Sequence, residues 1–384
     1  LWRLAFIVLA AVFWLGLVTP APAAELDKQF QSLDLQRVQG YVDHMNREIN
    51  GTLPAVDFRQ LVWGLVQGKA AVTPRNILTD LFNYFFRELV ANSSLLGQLI
   101  LLAVVCAVLQ NLQAAFESAT TAKLSYAVSY LVLAGLAAGS FSLATTTGRN
   151  LVGDMVSFMQ AILPVLVTLL VAVGQIGAPA VMSPMLFSFI TVVGTVVQNL
   201  VLPLLIMAAV LRLASNLSEH FSVSRLAGLI QWFAMGVMGL MSTVFLGFLA
   251  VYGVAGAVTN GIAFRTARYA TDALVPVVGG MLSDALGAVV GTSLLLKNAV
   301  GLAGIVVIAL MITVPLLKML ALGFTYHLAG AVVQPVGDAR LAECLTGLGQ
   351  SLIFIFAAVA VAALMFFFTI AIVVGVGNLN AILH

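Results

Sequence analysis

Three ionisable side chains stand in or beside long apolar runs of this sequence: Asp284, Lys297 and Lys318. A charge in hydrocarbon is costly, so such residues are retained where they line a polar path, pair with one another or reach water. The chemistry they could do is the stabilisation of an ion or polar solute crossing a membrane. A plainer reading of Lys297 and Lys318 is that each marks a helix end and snorkels its ammonium to the interface. Asp284 has no such escape if its segment spans. Arg265, Arg268 and Asp272 lie at i, i+3 and i+7, with Arg268 and Asp272 one helical turn apart and able to pair. They read as the charged face of a short interfacial helix rather than as a binding site.

Other chemistry is poorly supported. His44, His220, His327 and His384 are dispersed, and Cys106 and Cys344 stand far apart, so no metal-ligand or redox spacing emerges. Each cysteine reads as a small buried apolar residue. The HExxH, GxxxxGK[ST] and GxSxG patterns are absent. The expectation is a protein without catalytic residues, cofactor or metal, and a net charge of +2 gives no reason to expect nucleic acid as a partner.

The elements that must position the charged residues follow from composition. The chain has 384 residues, 61% of them hydrophobic and 8% charged. That balance calls for lipid as the main solvent and for a polytopic all-α bundle. Residues 1–24 read as a signal peptide: Arg3, an apolar run from Leu4 to Val18, then Pro20-Ala21-Pro22-Ala23-Ala24 as small residues at a cleavage site. Residues 25–94 carry seven Lys/Arg and eight Asp/Glu, and 95–384 carry nine and seven. The first stretch is therefore expected to be an extracytoplasmic segment of short amphipathic helices lying on the membrane or a partner, and the second a membrane domain.

Apolar stretches near 95–115, 124–145, 185–211, 229–253, 299–322 and 348–375 have spanning length, and 156–176 and 274–296 are weaker candidates. Six to eight spans are expected. Pro164, Pro276, Gly279 and Gly280 are read as helix-break positions within the two weaker segments.

The spacing also points to duplication. Pro164 and Pro203 are separated by the same interval as Pro276 and Pro315, and Arg225-Leu226-Ala227 has a counterpart in Arg340-Leu341-Ala342. Two repeats are expected, at 156–256 and 268–376. With eight spans the copies are inverted, which places Arg225 and Arg340 on opposite sides, and with six they run parallel; the inverted arrangement is the favoured expectation.

Two stretches carry a family resemblance. Phe264 to Gly301, FRTARYATDALVPVVGGMLSDALGAVVGTSLLLKNAVG, resembles the signature of the stage III sporulation protein AE family. So does Tyr326 to Phe368, with Gln334-Pro335-Val336-Gly337 and the closing FIFAAVAVAALMFFF, and Ser183 through Arg225 fits too. Similarity covers roughly 80–384. The resemblance implies a trans-envelope complex linking mother cell and forespore during endospore formation, with an ATPase, a platform component and ring-forming proteins as partners. The protein would be a multi-pass channel or export-platform subunit in the mother-cell membrane surrounding the forespore. The alternatives are an autonomous small-molecule transporter and a passive scaffold that recruits the ring-forming partners. The resemblance supplies no catalytic residues.

Overall fold

Hydrophobic stretches that lack strong breakers fold as helices much longer than a bilayer requires. The computed structural model describes residues 29–31, 33–49, 55–68, 74–115, 119–173, 177–217, 223–274, 279–335 and 339–382, and no strand occurs among them. In chain order the helices are α1 (Gln36–Ile49), α2 (Phe58–Val66), α3 (Pro74–Ala91), α4 (Ser93–Ala115), α5 (Ala119–Ala172), α6 (Gly177–Val196), a π-helical turn (Val197–Val201), α7 (Leu202–Leu217), α8 (Ser224–Leu274), α9 (Gly279–Val333) and α10 (Ala339–Ile382). The signal-peptide reading of residues 1–24 falls outside the described residues.

The amphipathic N-terminal helices do not form a unit apart. α1 buries Val38, Val42 and Met45, spaced i, i+4 and i+7, and exposes Arg37, Asp43, His44 and Arg47. Its apolar stripe packs on α5 and α9, and α2 packs on α9 through buried Phe58 and Val62. Side chains fix the loop between them. Asn46 donates from Nδ2 to the Val56 carbonyl at 2.7 Å and accepts from the Val56 amide at 3.0 Å. Asp57 caps α2 by accepting from the Gln60 amide at 2.9 Å, and Gly68 takes the left-handed φ of 70° just after its end. The apolar faces of α1 and α2 are thus covered by the bundle itself, whereas α3 leaves Phe82, Phe86 and Val90 exposed, as expected of a helix lying on a membrane or partner.

Five helices among the described residues are long and apolar enough to cross a membrane: Tyr130–Ala172, Ser183–Ser215, Ser224–Ala250, Val290–Val333 and Leu341–Gly375. A sixth crossing is available if Leu81–Ala91 and Ser93–Val105, bent by 42° at Asn92, form one broken span. The stretches 124–145 and 156–176 are therefore not two crossings but parts of one helix, α5, of 54 residues. Pro164 lies inside that helix and does not break it. Its ring forfeits one amide donor, and the Thr168 hydroxyl donates back to the Pro164 carbonyl at 2.8 Å while packing on both sides of the proline holds the helix together. Pro203 acts more strongly: the helix widens just before it, where the Leu202 amide bonds to the Val197 carbonyl in π-helical register. Pro276 lies outside the described residues, and Gly279 and Gly280 open α9. Arg265, Arg268 and Asp272 continue α8, a helix of 51 residues, rather than forming the short separate helix expected of them.

The two helical hairpins read as repeats run parallel. Arg212 on α7 donates to Gln231 of α8 and to Gln350 of α10, so both helices begin at the end of the bundle where α7 finishes. Tyr130 seals the same end, donating to the Leu213 carbonyl at 2.6 Å with Cys344 Sγ 3.5 Å away. The hairpin of α6–α7 with α8 and the hairpin of α9 with α10 therefore point the same way, and the inverted arrangement expected from sequence is corrected. Single cysteines introduced at Arg225 and at Arg340, after replacement of Cys106 and Cys344, should be labelled by an impermeant thiol reagent from one and the same side. Labelling from opposite sides would contradict this packing.

Candidate functional site

Halfway along α5 and α9 the apolar packing gives way to polar side chains. Thr147 and Asn150 project from α5 and Lys318 from α9, one turn beyond Pro315. Glu88 and Asn92 reach the same place from the junction of α3 and α4. Together with Met45, Leu143, Met311 and Leu322 they line a cavity of about 360 Å³. The bend between α3 and α4 falls at Asn92, whose Nδ2 donates to the Glu88 carbonyl at 2.9 Å and meets a carbonyl at the helix terminus. The cavity thus combines an acid, a base and three neutral polar groups beside a broken helix. Lys318 and Asn150 are exposed, so the cavity opens at the side of the bundle, where it can hold a polar or zwitterionic solute, or water.

The polar level continues around α5. Arg149 Nη2 donates to Asn199 Oδ1 at 3.2 Å, and Gln198 Nε2 donates to the Arg149 carbonyl at 3.3 Å. Both partners sit in the π-helical turn, which therefore aims two amide side chains at α5. Gly153 and Gly194 keep the two helices close: a Cβ on Gly194 would collide with Val156, and one on Gly153 would come within 3.2 Å of Gln198 Nε2.

Lys297 has a different setting. It is completely buried, and its ammonium donates to the Val374 carbonyl of α10 at 2.8 Å. The snorkelling reading does not fit this side chain. Gly301, one turn on, makes the contact possible, since any side chain there would strike Val374. Thr292, Ser293 and Asn298 are buried around it. Lys297 thus ties α9 to α10, well separated along α9 from the Lys318 cavity. Asp284 belongs to α9, but its side chain lies outside the described residues. Of the three candidates, Lys318 faces a cavity and Lys297 is enclosed in packing.

Comparison with known proteins bears on what this arrangement serves. A family profile described as Stage III sporulation protein AE matches residues 56–377. Stage III sporulation protein AE of Bacillus subtilis (strain 168) is 36% identical over 352 residues, covering 92% of this chain and 88% of the relative. The chain belongs to the stage III sporulation protein AE family. No solved structure matches it.

The family profile begins at Val56, and the longer match to the Bacillus subtilis relative takes in α1 as well, so every element that lines the cavity lies in the shared part. The stage III sporulation protein AE assignment makes this a sporulation protein, and its apolar helices make it a multi-pass membrane protein. Lys318 was legible in the sequence because a charge in an apolar run stands out. Glu88 and Asn92 were not, because they sit in a stretch already rich in charge, and Thr147, Asn150, Gln198 and Asn199 carry no charge to draw notice. The signal available was their bunching at the centre of long apolar stretches.

Proposed function

We propose that this protein is the membrane-embedded channel or export-platform subunit of the trans-envelope complex that links mother cell and forespore, seated in the mother-cell membrane surrounding the forespore. It acts without a catalytic step of its own and works with the ATPase, platform and ring-forming proteins of the stage III system. The observation that carries this reading is the polar cavity around Lys318, Glu88 and Asn92, built where a candidate span is broken at the side of an apolar bundle. Polar lining of this kind has a cost in a membrane protein and is retained where solute or water must enter.

The test is made in sporulating cells. Lys318→Met should lower late forespore gene expression and heat-resistant spore yield to near the level of a deletion strain, while membrane levels of the protein stay normal. Full activity of Lys318→Met, and of Lys318→Met combined with Glu88→Gln, would sink the polar-path reading and favour a passive scaffold. Solute uptake by vesicles holding the purified protein alone would instead favour an autonomous transporter.

A further inference from the structure

The end of the bundle where α7 finishes carries a second polar group that the Lys318 cavity does not use. Arg212 stands three residues before the end of the apolar stretch Ser183–Ser215. Its guanidinium makes two hydrogen bonds, to Gln350 Oε1 at 3.1 Å and to Gln231 Oε1, both neutral amide oxygens on neighbouring helices. A guanidinium has five N–H donors, so three remain. Among the described residues no carboxylate pairs with it. Gln231 is 4% exposed, and with its oxygen turned to Arg212 its Nε2 is buried without a partner. Gln350 is exposed beside them. Among the described residues donors are in excess here, and no acceptor carries negative charge.

The adjoining surface says what kind of acceptor. Trp232, next in sequence to Gln231, is 76% exposed, and Leu229 and Phe233 are exposed with it. Arg225, Leu229 and Trp232 fall at i, i+4 and i+7 and form one stripe along α8, basic at the helix start and apolar above. An exposed tryptophan between a basic and an apolar surface is the pattern of a side chain at headgroup depth. Basic pockets between membrane helices at this level bind lipid phosphates. A free phosphate would find the three donors but no use for the apolar stripe.

We propose that Arg212, Gln231 and Gln350 form a binding site for the headgroup phosphate of an anionic phospholipid, whose acyl chains run down α8 past Trp232. The phosphate oxygen supplies a charge partner to Arg212 and draws in the Gln231 amide, which joins α7, α8 and α10 at this end of the bundle.

The full-length protein in mild detergent, melted with added phosphatidylglycerol, phosphatidylcholine or inorganic phosphate, tests this. Phosphatidylglycerol should raise the wild-type melting temperature, and the other two should not. Arg212→Gln should weaken the half-maximal phosphatidylglycerol response by about tenfold, the size expected for a lost charge-assisted hydrogen bond. Arg225→Gln should change it much less. An undiminished response in Arg212→Gln, an equal loss in Arg212→Gln and Arg225→Gln, or an equal rise with phosphatidylcholine would overturn the site. A rise with inorganic phosphate alone would reassign it to a free anion and overturn the lipid. If Arg212→Gln does not fold, Gln350→Leu serves in its place: a weakened response supports the site, and an unchanged one overturns it.

Discussion

Gly349→Ala is expected to destabilise the folded protein by about 1–3 kcal/mol, the usual cost of overpacking a filled interior. A Cβ at Gly349 would lie 3.0 Å from both the His327 amide nitrogen and the Gly323 carbonyl oxygen. Both are main-chain atoms of α9, so neither can rotate aside. The crowding is reciprocal, because a Cβ at Gly323 would come 3.4 Å from the Gly349 carbonyl oxygen and 3.1 Å from Ile353. α9 and α10 form the most extensive helix pair of the bundle, and small residues on both helices bring their backbones together without any hydrophobic drive from lipid. Thermal unfolding in detergent should therefore show a clear drop for Gly349→Ala and no recoverable folded protein for Gly349→Leu. A wild-type melting temperature for Gly349→Leu would mean that the seam is not packed as described.

Lys297 should separate charge from packing. Lys297→Met fills much the same space and removes a buried ammonium, so the protein is expected to fold with stability near or above wild type. Lys297→Glu would set a carboxylate against the Val374 carbonyl, an unpaired buried charge costing about 3–5 kcal/mol, and should leave little folded protein in the membrane. The ratio of folded to aggregated material in detergent extracts reads both. If instead Lys297→Met folds normally yet abolishes spore formation, the ammonium has a working role beyond joining α9 to α10.

The sequence and the structure agree most where composition speaks alone. An all-α membrane bundle follows from apolar runs such as 299–322 and 348–375, and their helices are observed. Pro164 shows where that reasoning fails. Proline predicts a break from its lost donor and its ring, yet one missing bond within a largely buried helix is a small deficit against the contacts that keep α5 continuous. Direction was harder still. Arg225 and Arg340 are equally basic, and no local property distinguishes parallel from inverted copies. The contacts of Arg212 with Gln231 and Gln350 and of Tyr130 with Leu213 and Cys344 do, and they join residues up to more than two hundred positions apart. The cavity was half legible: Lys318 stood out as a charge, and its neutral neighbours did not.

The reach of the long helices constrains how a membrane can surround them. The apolar part of α9 is 44 residues, which at 1.5 Å per residue is about 66 Å, against a hydrocarbon layer of about 30 Å. The first half of that length runs beside α1 and α2, whose outer faces carry Arg37, Asp43, Arg47 and Arg59 and are not surfaces for acyl chains. The exposed large side chains of α9 gather in the other half, at Phe324, Leu328 and Val332. Along α5 the distance from Tyr130 to Arg149 is about 29 Å at the helical rise, one bilayer thickness. Along α9, acyl chains then have access to the half nearer Arg212, and the other half is clad in the protein's own N-terminal helices. A bilayer thicker than the uncovered half of α9 would meet those helices on that side, so the mismatch there must be taken up by the lipid rather than by α9.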